Sequence, residues 1–369
     1  MADVLSRRTL NRTLLARQHL LSRVRRSAAD EIEHLVGMQA QAPLAPYVAL
    51  WSRLDGFDPA DLSGLIQRRE AVRAVGMLRT TIHLLTARDA LALTPVMRAV
   101  WLAAFRKSPF RPNLEGIDIA ALAAAGRALL DEQPLRPIDL GRRLAETWPG
   151  RDPASLTMGV RDLTPIVQVP PRGLWGSSAA PTLAVLETWL GRPIDASDDP
   201  APFVRRYLRA FGPASTQDIA TWSWLTGVRA IVERLRAELR TYRDEDGREL
   251  FDLEDGEIAD AALDAPPRFL PEYDNLLLSH KDRRRVLGRP LSALPLPAGN
   301  GARVGTFLVD GFVAGTWTAI RDAEPARLEL VTWRDLTAGE RHALEAEGMA
   351  LLRLQAPGRT GAVRVSPER

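Results

Sequence analysis

The stretch "AVRAVGMLRTTIHLLT", residues 71–86, decides how the first third of this chain is read. β-Branched residues and alternation on both sides of Gly76 predict two strands joined near that glycine. What precedes it is helical in pattern. "SAADEIEHLVGMQ" (27–39) sets Ile32, Leu35, Val36 and Met38 in an apolar stripe, behind a start that Ser27 or Asp30 can cap. "APYVALWSRL" (45–54) follows a Pro-rich turn. "DPADLSGLIQRRE" (58–70) opens on Asp58-Pro59, an N-cap residue followed by proline at the first helical position. Helix, helix, helix, hairpin is the order of a winged helix-turn-helix unit.

The order recurs downstream. "IDIAALAAAGRALLDEQPLRPIDLGRRLAETW" (117–148) reads as two helices around a Pro-containing turn. "DPASLTMGVRDLTPIVQVPPRGLWG" (152–176) then gives a helix, a short strand and a turn. In residues 200–239 Gly212-Pro213 breaks a helix, and Ser215 or Thr216 caps the next, the helix-turn-helix spacing of small DNA-binding units. After about residue 240 strand-like runs dominate, and Asp310-Gly311 between apolar runs signals a hairpin. "GRPLSALPLPAGNGAR" (288–303) reads as a loop, and "TAGERHALEAEGMALLRL" (337–354) as a helix. The expected fold class is therefore α+β. Three tandem winged helix-turn-helix units, at 1–112, 113–195 and 196–264, precede a C-terminal β-rich, barrel-like unit at 265–369.

Composition narrows the function. The chain of 369 residues is 46% hydrophobic and 26% charged, ordinary for a globular protein. It has no run of ~18 apolar residues and no signal-peptide core, so a cytoplasmic, nucleoid-associated protein without a membrane role is expected. Cysteine is absent and the five histidines form no tight ligand pattern, so neither metal nor other cofactor is expected. Net charge is only +3, yet the pI is about 9.6, and Lys107 and Lys281 are the only lysines. Arginine suits phosphate and guanine edges, although a GC-rich genome yields the same bias.

Five segments in order carry a resemblance: "LARQHLL…IEHLVGMQAQ", "LRTTIHLLTARD", "VPPRGLWG", "FLPEYDNLLLSHKDRRRVL" and "LVDGFVAGTW". Together they resemble the AlkZ-like DNA glycosylases, over nearly the whole chain. The resemblance implies three winged-helix units and a C-terminal β-barrel around a concave DNA-binding channel. It implies hydrolysis of the bond between a deoxyribose and an alkylated purine, hence base-excision repair of duplex DNA. Gln39-Ala40-Gln41 matches the family's catalytic motif in its Gln/Gln form. That form resembles enzymes linked to self-resistance against DNA-alkylating antibiotics, including interstrand crosslinkers.

The chemistry of two amides is coherent with that implication. Alkylation at guanine N7 or adenine N3 makes the base cationic, so it departs as a neutral species with little acid catalysis. What remains is to hold a water at the anomeric carbon. An amide oxygen accepts a hydrogen bond from such a water and the NH₂ donates one, but glutamine is no general base at neutral pH. On a continuing helix Gln39 and Gln41 would diverge by about 200°. Pro43 disfavours helical geometry at Ala42, so the helix is expected to end near Gln39–Ala42 and let the amides converge. The spacing alone also fits a solvated helix end.

Candidate DNA contacts come from three places. Arg79, Thr81 and His83 would share one side of a strand, as a channel wall or as an ordinary polar face, with His83 equally readable as a core histidine. Arg172 lies in a tight turn, and Arg283, Arg284 and Arg285 form a basic run that a solvated loop would also explain. Asp274 could pair with one of those arginines and is given no catalytic role. A monomer is expected. The alternative is a non-enzymatic winged-helix DNA-binding protein or transcriptional regulator.

Overall fold

A computed structural model describes residues 3–294 and 304–368; the last nine residues of the loop expected at 288–303 lie outside that description. Its strands are β1 (Val4–Leu5), β2 (Met38–Gln39), β3 (Ala71–Ala74), β4 (His83–Thr86), β5 (Ile166–Gln168), β6 (Leu183–Val185), β7 (Leu239–Asp244), β8 (Glu249–Leu253), β9 (Arg268–Leu270), β10 (Gly305–Val309), β11 (Phe312–Ile320), β12 (Ala326–Thr332) and β13 (Gly361–Pro367). They form three sheets, ordered β1-β7-β8, β2-β4-β3-β5-β6 and β13-β12-β11-β10-β9. Among the described residues four α-helices precede β3, four lie between β4 and β5, and four between β6 and β7, the last of these sets being Leu186–Leu190, Ala201–Phe211, Thr216–Ser223 and Val228–Leu235. Among the described residues no helix is long and apolar enough to cross a membrane.

The central sheet divides the core. Opposed residues of antiparallel strands point to one face, and the next row points to the other. One row runs Gln39, His83, Ala74, Val167, Ala184; the other runs Met38, Leu84, Arg73, Gln168, Leu183. Ala74, Val167 and Ala184 pack into a cluster with Leu91, Trp101, Tyr207 and Trp222. Met38, Leu84 and Leu183 pack into a second cluster with Tyr47, Leu62 and Leu140. Strands from both sides of residue 112 thus share one sheet, and β3 joins β5 through Arg73–Gln168 and Ala74–Val167.

The expected barrel-like C-terminal unit is not present. Among the described residues no sheet closes: β9 and β13 are the two edges of an open five-stranded sheet, and the architecture is α+β with open sheets. The reason is packing. Helix Ala338–Gln355 lies across the apolar face and contacts β9, β12 and β13. Its Leu344, Leu351 and Leu352 bury Phe269, Phe307, Leu328 and Leu330. A sheet whose inner face is already covered by a helix has no need to curl on itself. The parallel pairing of β12 with β13 requires that crossover helix in any case.

Asp310 and Gly311, both at positive φ, form the tight turn between β10 and β11. The turn is bolted to the N-terminal helix Arg7–Arg17. Asn11 Nδ2 donates to the Gly311 carbonyl at 2.8 Å and to the Arg285 carbonyl at 2.7 Å, and the buried Arg12 pairs with Asp310. A Cβ on Gly311 would collide with the Arg12 guanidinium, which is why a glycine stands there.

Candidate functional site

The helix carrying the first candidate motif ends earlier than Pro43 would impose. It spans Ala28–His34, and Val36 and Gly37 then take positive φ values of 54° and 86°. Two consecutive left-handed residues turn the chain out of the helix. Gln39 consequently belongs to a strand, not to a frayed helix end, and the ladder continues one step as Ala40 N–H donates to the Ile82 carbonyl at 2.7 Å. Gln39 is buried and Gln41 exposed.

The Gln39 side chain is held from one partner. Its Oε1 accepts from Arg79 Nη2 at 2.9 Å, and Arg79 Nη1 donates to the Trp222 carbonyl at 2.7 Å. Among the described residues Gln39 Nε2 has no partner, and Oε1 keeps a second lone pair. Arg79 does not sit on a strand as its alternation with Thr81 and His83 suggests. Residues Leu78–Thr80 form a short 3-10 turn in which Arg79 and Thr80 are both left-handed (φ 55°), and β4 starts only at His83. This turn, not strand alternation, folds Arg79 back to Gln39. A left-handed non-glycine pair is strained backbone, held here by the bonds its arginine makes.

His83 lies directly opposite Gln39 across the β2–β4 ladder and is fully buried. Its Nε2 lies 3.4 Å from Arg79 Nη2, and its Nδ1 lies 3.3 Å from Thr81 Oγ1. A guanidinium only donates, so Nε2 is the acceptor and the imidazole proton sits on Nδ1. Burial, and then the Arg79 charge, hold its pKa well below the ordinary histidine value. Burial and the nearby Arg283 bring Arg79 down to about 10, still protonated at neutral pH. Gln39, Arg79, Thr81 and His83 therefore meet in one corner without a carboxylate among their hydrogen bonds, and Arg283 lies near enough for its charge to act on Arg79.

The other candidates go elsewhere. Arg284 is pinned to Asp282 and Asp246, and Arg285 is buried, donating to the Pro213 carbonyl at 2.9 Å. Arg172 donates to the Ala179 carbonyl at 2.7 Å and lies beside Arg73. Arg73 was not among the candidates. It is 1% exposed and lies in the row of the sheet next to that of Gln39, on the opposite face. Its Nη2 donates to the Ala40 carbonyl at 2.8 Å and to Gln168 Oε1 at 3.1 Å. Desolvation, then the Arg172 charge, lower it to about 10. It thus grips the backbone between the two glutamines. Its sequence signal was an arginine set between Val72 and Ala74 in an apolar strand. Asn275 was also missed: its Nδ2 donates to the Gly37 carbonyl at 2.7 Å, fixing the chain just ahead of Met38.

The buried histidines predict acid sensitivity. His83 and His34 are depressed, and His280 is pushed down to about 3, all chiefly by burial. Their unfolded-state pKa is about 6.5, so below that pH the unfolded chain binds protons the folded chain refuses. Stability should be full above about pH 6.5 and fall toward pH 5, by about 1–2 kcal/mol for each histidine held neutral. Denaturant midpoints from pH 7 to pH 5 check this, and His280→Gln should flatten the fall. A midpoint constant across that window contradicts it.

A family model described as "DNA glycosylase AlkZ-like" matches residues 32–354. Among solved structures, Streptomyces sahachiroi DNA glycosylase AlkZ is similar at a TM-score of 0.75 and 22% identity, covering 98% of this chain and 100% of that one. No curated protein matches the chain.

Proposed function

The chain belongs to the AlkZ-like family of DNA glycosylases, and on that premise we propose that it hydrolyses the N-glycosidic bond of alkylated purines in duplex DNA through a water held by Gln39 and Gln41. N7-Alkylguanine is the simplest substrate, and bulky adducts or interstrand crosslinks are of the same chemical class. The observation that carries the reading is the Gln39 amide locked by Arg79 at 2.9 Å across from a neutral His83.

Water oxygen forms the new bond to C1′ while the C1′–N9 bond breaks. N9 keeps the bonding electron pair, which neutralises the cationic base, and the water proton passes to solvent. Arg79 fixes which end of the Gln39 amide is oxygen. The free lone pair of Oε1 can then accept from the water, and Nε2 can donate to a sugar or phosphate oxygen. Gln41, exposed two residues on, supplies the second amide from the solvent side. Arg79, Thr81 and Arg283 would face the DNA strand around the lesion, with His83 buried behind Arg79 and Arg172 further off beside Arg73. The site needs an activated leaving group, because none of Gln39, Arg79 or neutral His83 can deliver a proton to an ordinary base. Undamaged guanine should therefore stay attached.

The test is release of free base from a duplex containing N7-methylguanine. The parent protein should release it and leave an abasic site with an unbroken strand. No release from N7-methylguanine or crosslinked duplex would leave a purely DNA-binding role.

A further inference from the structure

We propose that the C-terminal half of helix Ala87–Arg106, together with Trp224, is a second DNA-contact surface that grips the sugar–phosphate backbone beside the lesion. The inference rests on the glycosylase reading for its partner. On that reading the corner around Gln39 would take one nucleotide, and a duplex needs more surface than that.

The surface is physically continuous with the site. Arg79 Nη1 binds the Trp222 carbonyl, and Trp224 follows two residues later at the end of helix Thr216–Ser223. On the other side, Trp101 of helix Ala87–Arg106 donates to the Gly76 carbonyl, just before the 3-10 turn that carries Arg79. Between the two helices lies a groove of about 580 Å³ lined by Ala99, Ala103, Lys107, Ala220, Trp224 and Leu225, among others.

Three properties identify the occupant. First, Arg98, Leu102 and Arg106 are exposed at i, i+4 and i+8, and Ala99, Ala103 and Lys107 form the adjacent exposed stripe. Among the described residues none of Arg98, Arg106 and Lys107 has a carboxylate partner, whereas Arg136, Arg205, Arg236 and Arg284 do. Second, the stripe beside the two arginines is Ala99 and Ala103 and ends on Lys107, so a backbone can come close to the helix. Arg98 to Arg106 spans about 12 Å of helix, the axial advance of three to four nucleotides of one strand. Third, Trp224 is 50% exposed while its backbone sits at φ 63°, ψ 13°. A left-handed helix end ordinarily takes glycine or asparagine. An indole held there, in a turn pinned by Leu225 N–H donating to Ser223 Oγ at 3.1 Å, is presented to solvent rather than to the core. Flat and apolar, it fits against a deoxyribose or base face between the phosphates that the cations hold.

The test is binding of the full chain to an unmodified duplex across a salt series. The triple variant Arg98→Ala/Arg106→Ala/Lys107→Ala should reduce the slope of log K against log salt by about 2–3, near 0.9 per lost phosphate contact. A control triple, Arg136→Ala/Arg205→Ala/Arg236→Ala, removes the same charge from ion-paired sites and should leave the slope unchanged. Trp224→Asn, which keeps a residue tolerant of the left-handed region, should weaken binding about 5–10-fold at every salt concentration with no change of slope. An unchanged slope in the first triple, an equal loss in the control, or unaltered affinity in Trp224→Asn overturns the proposal. The outcome is separable from that of the catalytic reading. Slopes lost as expected, in a protein that releases no alkylated base, would sink the glycosylase mechanism and keep this surface. Base release with an unchanged slope would sink the surface alone.

Discussion

Gln39→Ala should lower release of N7-methylguanine at least about 100-fold, the scale of loss when an oriented reacting partner is misplaced, while duplex binding stays close to the parent's. Gln39 Oε1 is already committed to Arg79 by one lone pair, so its remaining lone pair and Nε2 point in fixed directions. Alanine removes both and leaves the buried guanidinium short of one acceptor, though still bound to the Trp222 carbonyl. Gln41→Ala should fall into the same class of loss. Arg79→Lys is the informative companion, since an ammonium keeps the charge but cannot span the amide and the carbonyl with one fork. A drop of about 10-fold in single-turnover release, with DNA affinity nearly intact, is expected. Gln39→Ala turning over like the parent would remove Gln39 from the mechanism.

The second large effect is on stability. Arg53 and Asp274 form a bidentate pair at 2.8 and 2.9 Å, each side chain 1% exposed. Arg53 also donates to the Ala49 carbonyl, and Asp274 caps the short helix Asn275–Leu278 by accepting from Leu276 N–H. Asp274→Ala strands a buried cation and should cost about 3–5 kcal/mol. A double replacement, Arg53→Met with Asp274→Leu, should recover much of that, because two apolar side chains leave no uncompensated charge. Denaturant unfolding of the three proteins decides it; a loss under about 1 kcal/mol in Asp274→Ala would show that water reaches the pair. Because Asn275 adjoins Asp274 and holds the Gly37 carbonyl, the single variant should also slow base release in whatever fraction stays folded.

Local pattern carried part of this structure into view. The Asp310-Gly311 turn, the strands on either side of Gly76 and the helix behind Ser215 follow from short-range chemistry, and they stand where residues 304–318, 71–86 and 216–223 place them. What sequence could not give was anything set by distant partners. Val36 is no helix stopper by propensity, yet it is left-handed, because Gly37 beside it is packed against β4 and Asn275. The closure expected of residues 265–369 depended on knowing where helix Ala338–Gln355 would lie, and that is a tertiary fact. The candidate site shows the same division. Gln39, Arg79, Thr81 and His83 stood out by type and spacing and do cluster. Their contact runs through a left-handed turn that alternation mispredicts. Arg73 and Asn275 act on backbone carbonyls, an acceptor every residue carries, so nothing in the string of side chains marks their targets.

The seam between β3 and β5 has a bearing on how such a chain can be recombined. Arg73 opposite Gln168 and Ala74 opposite Val167 tie sequence from the first quarter to sequence nearly a hundred positions later. A chimera joined anywhere between Ala74 and Ile166 inherits the two edges of that seam from different parents. It must match their register and the arginine that crosses it. A junction placed after Val185 keeps the whole seam from one parent, but the Trp222 carbonyl that holds Arg79 and the Asn275 that holds Gly37 then come from the other, so the exchanged half must preserve both contacts.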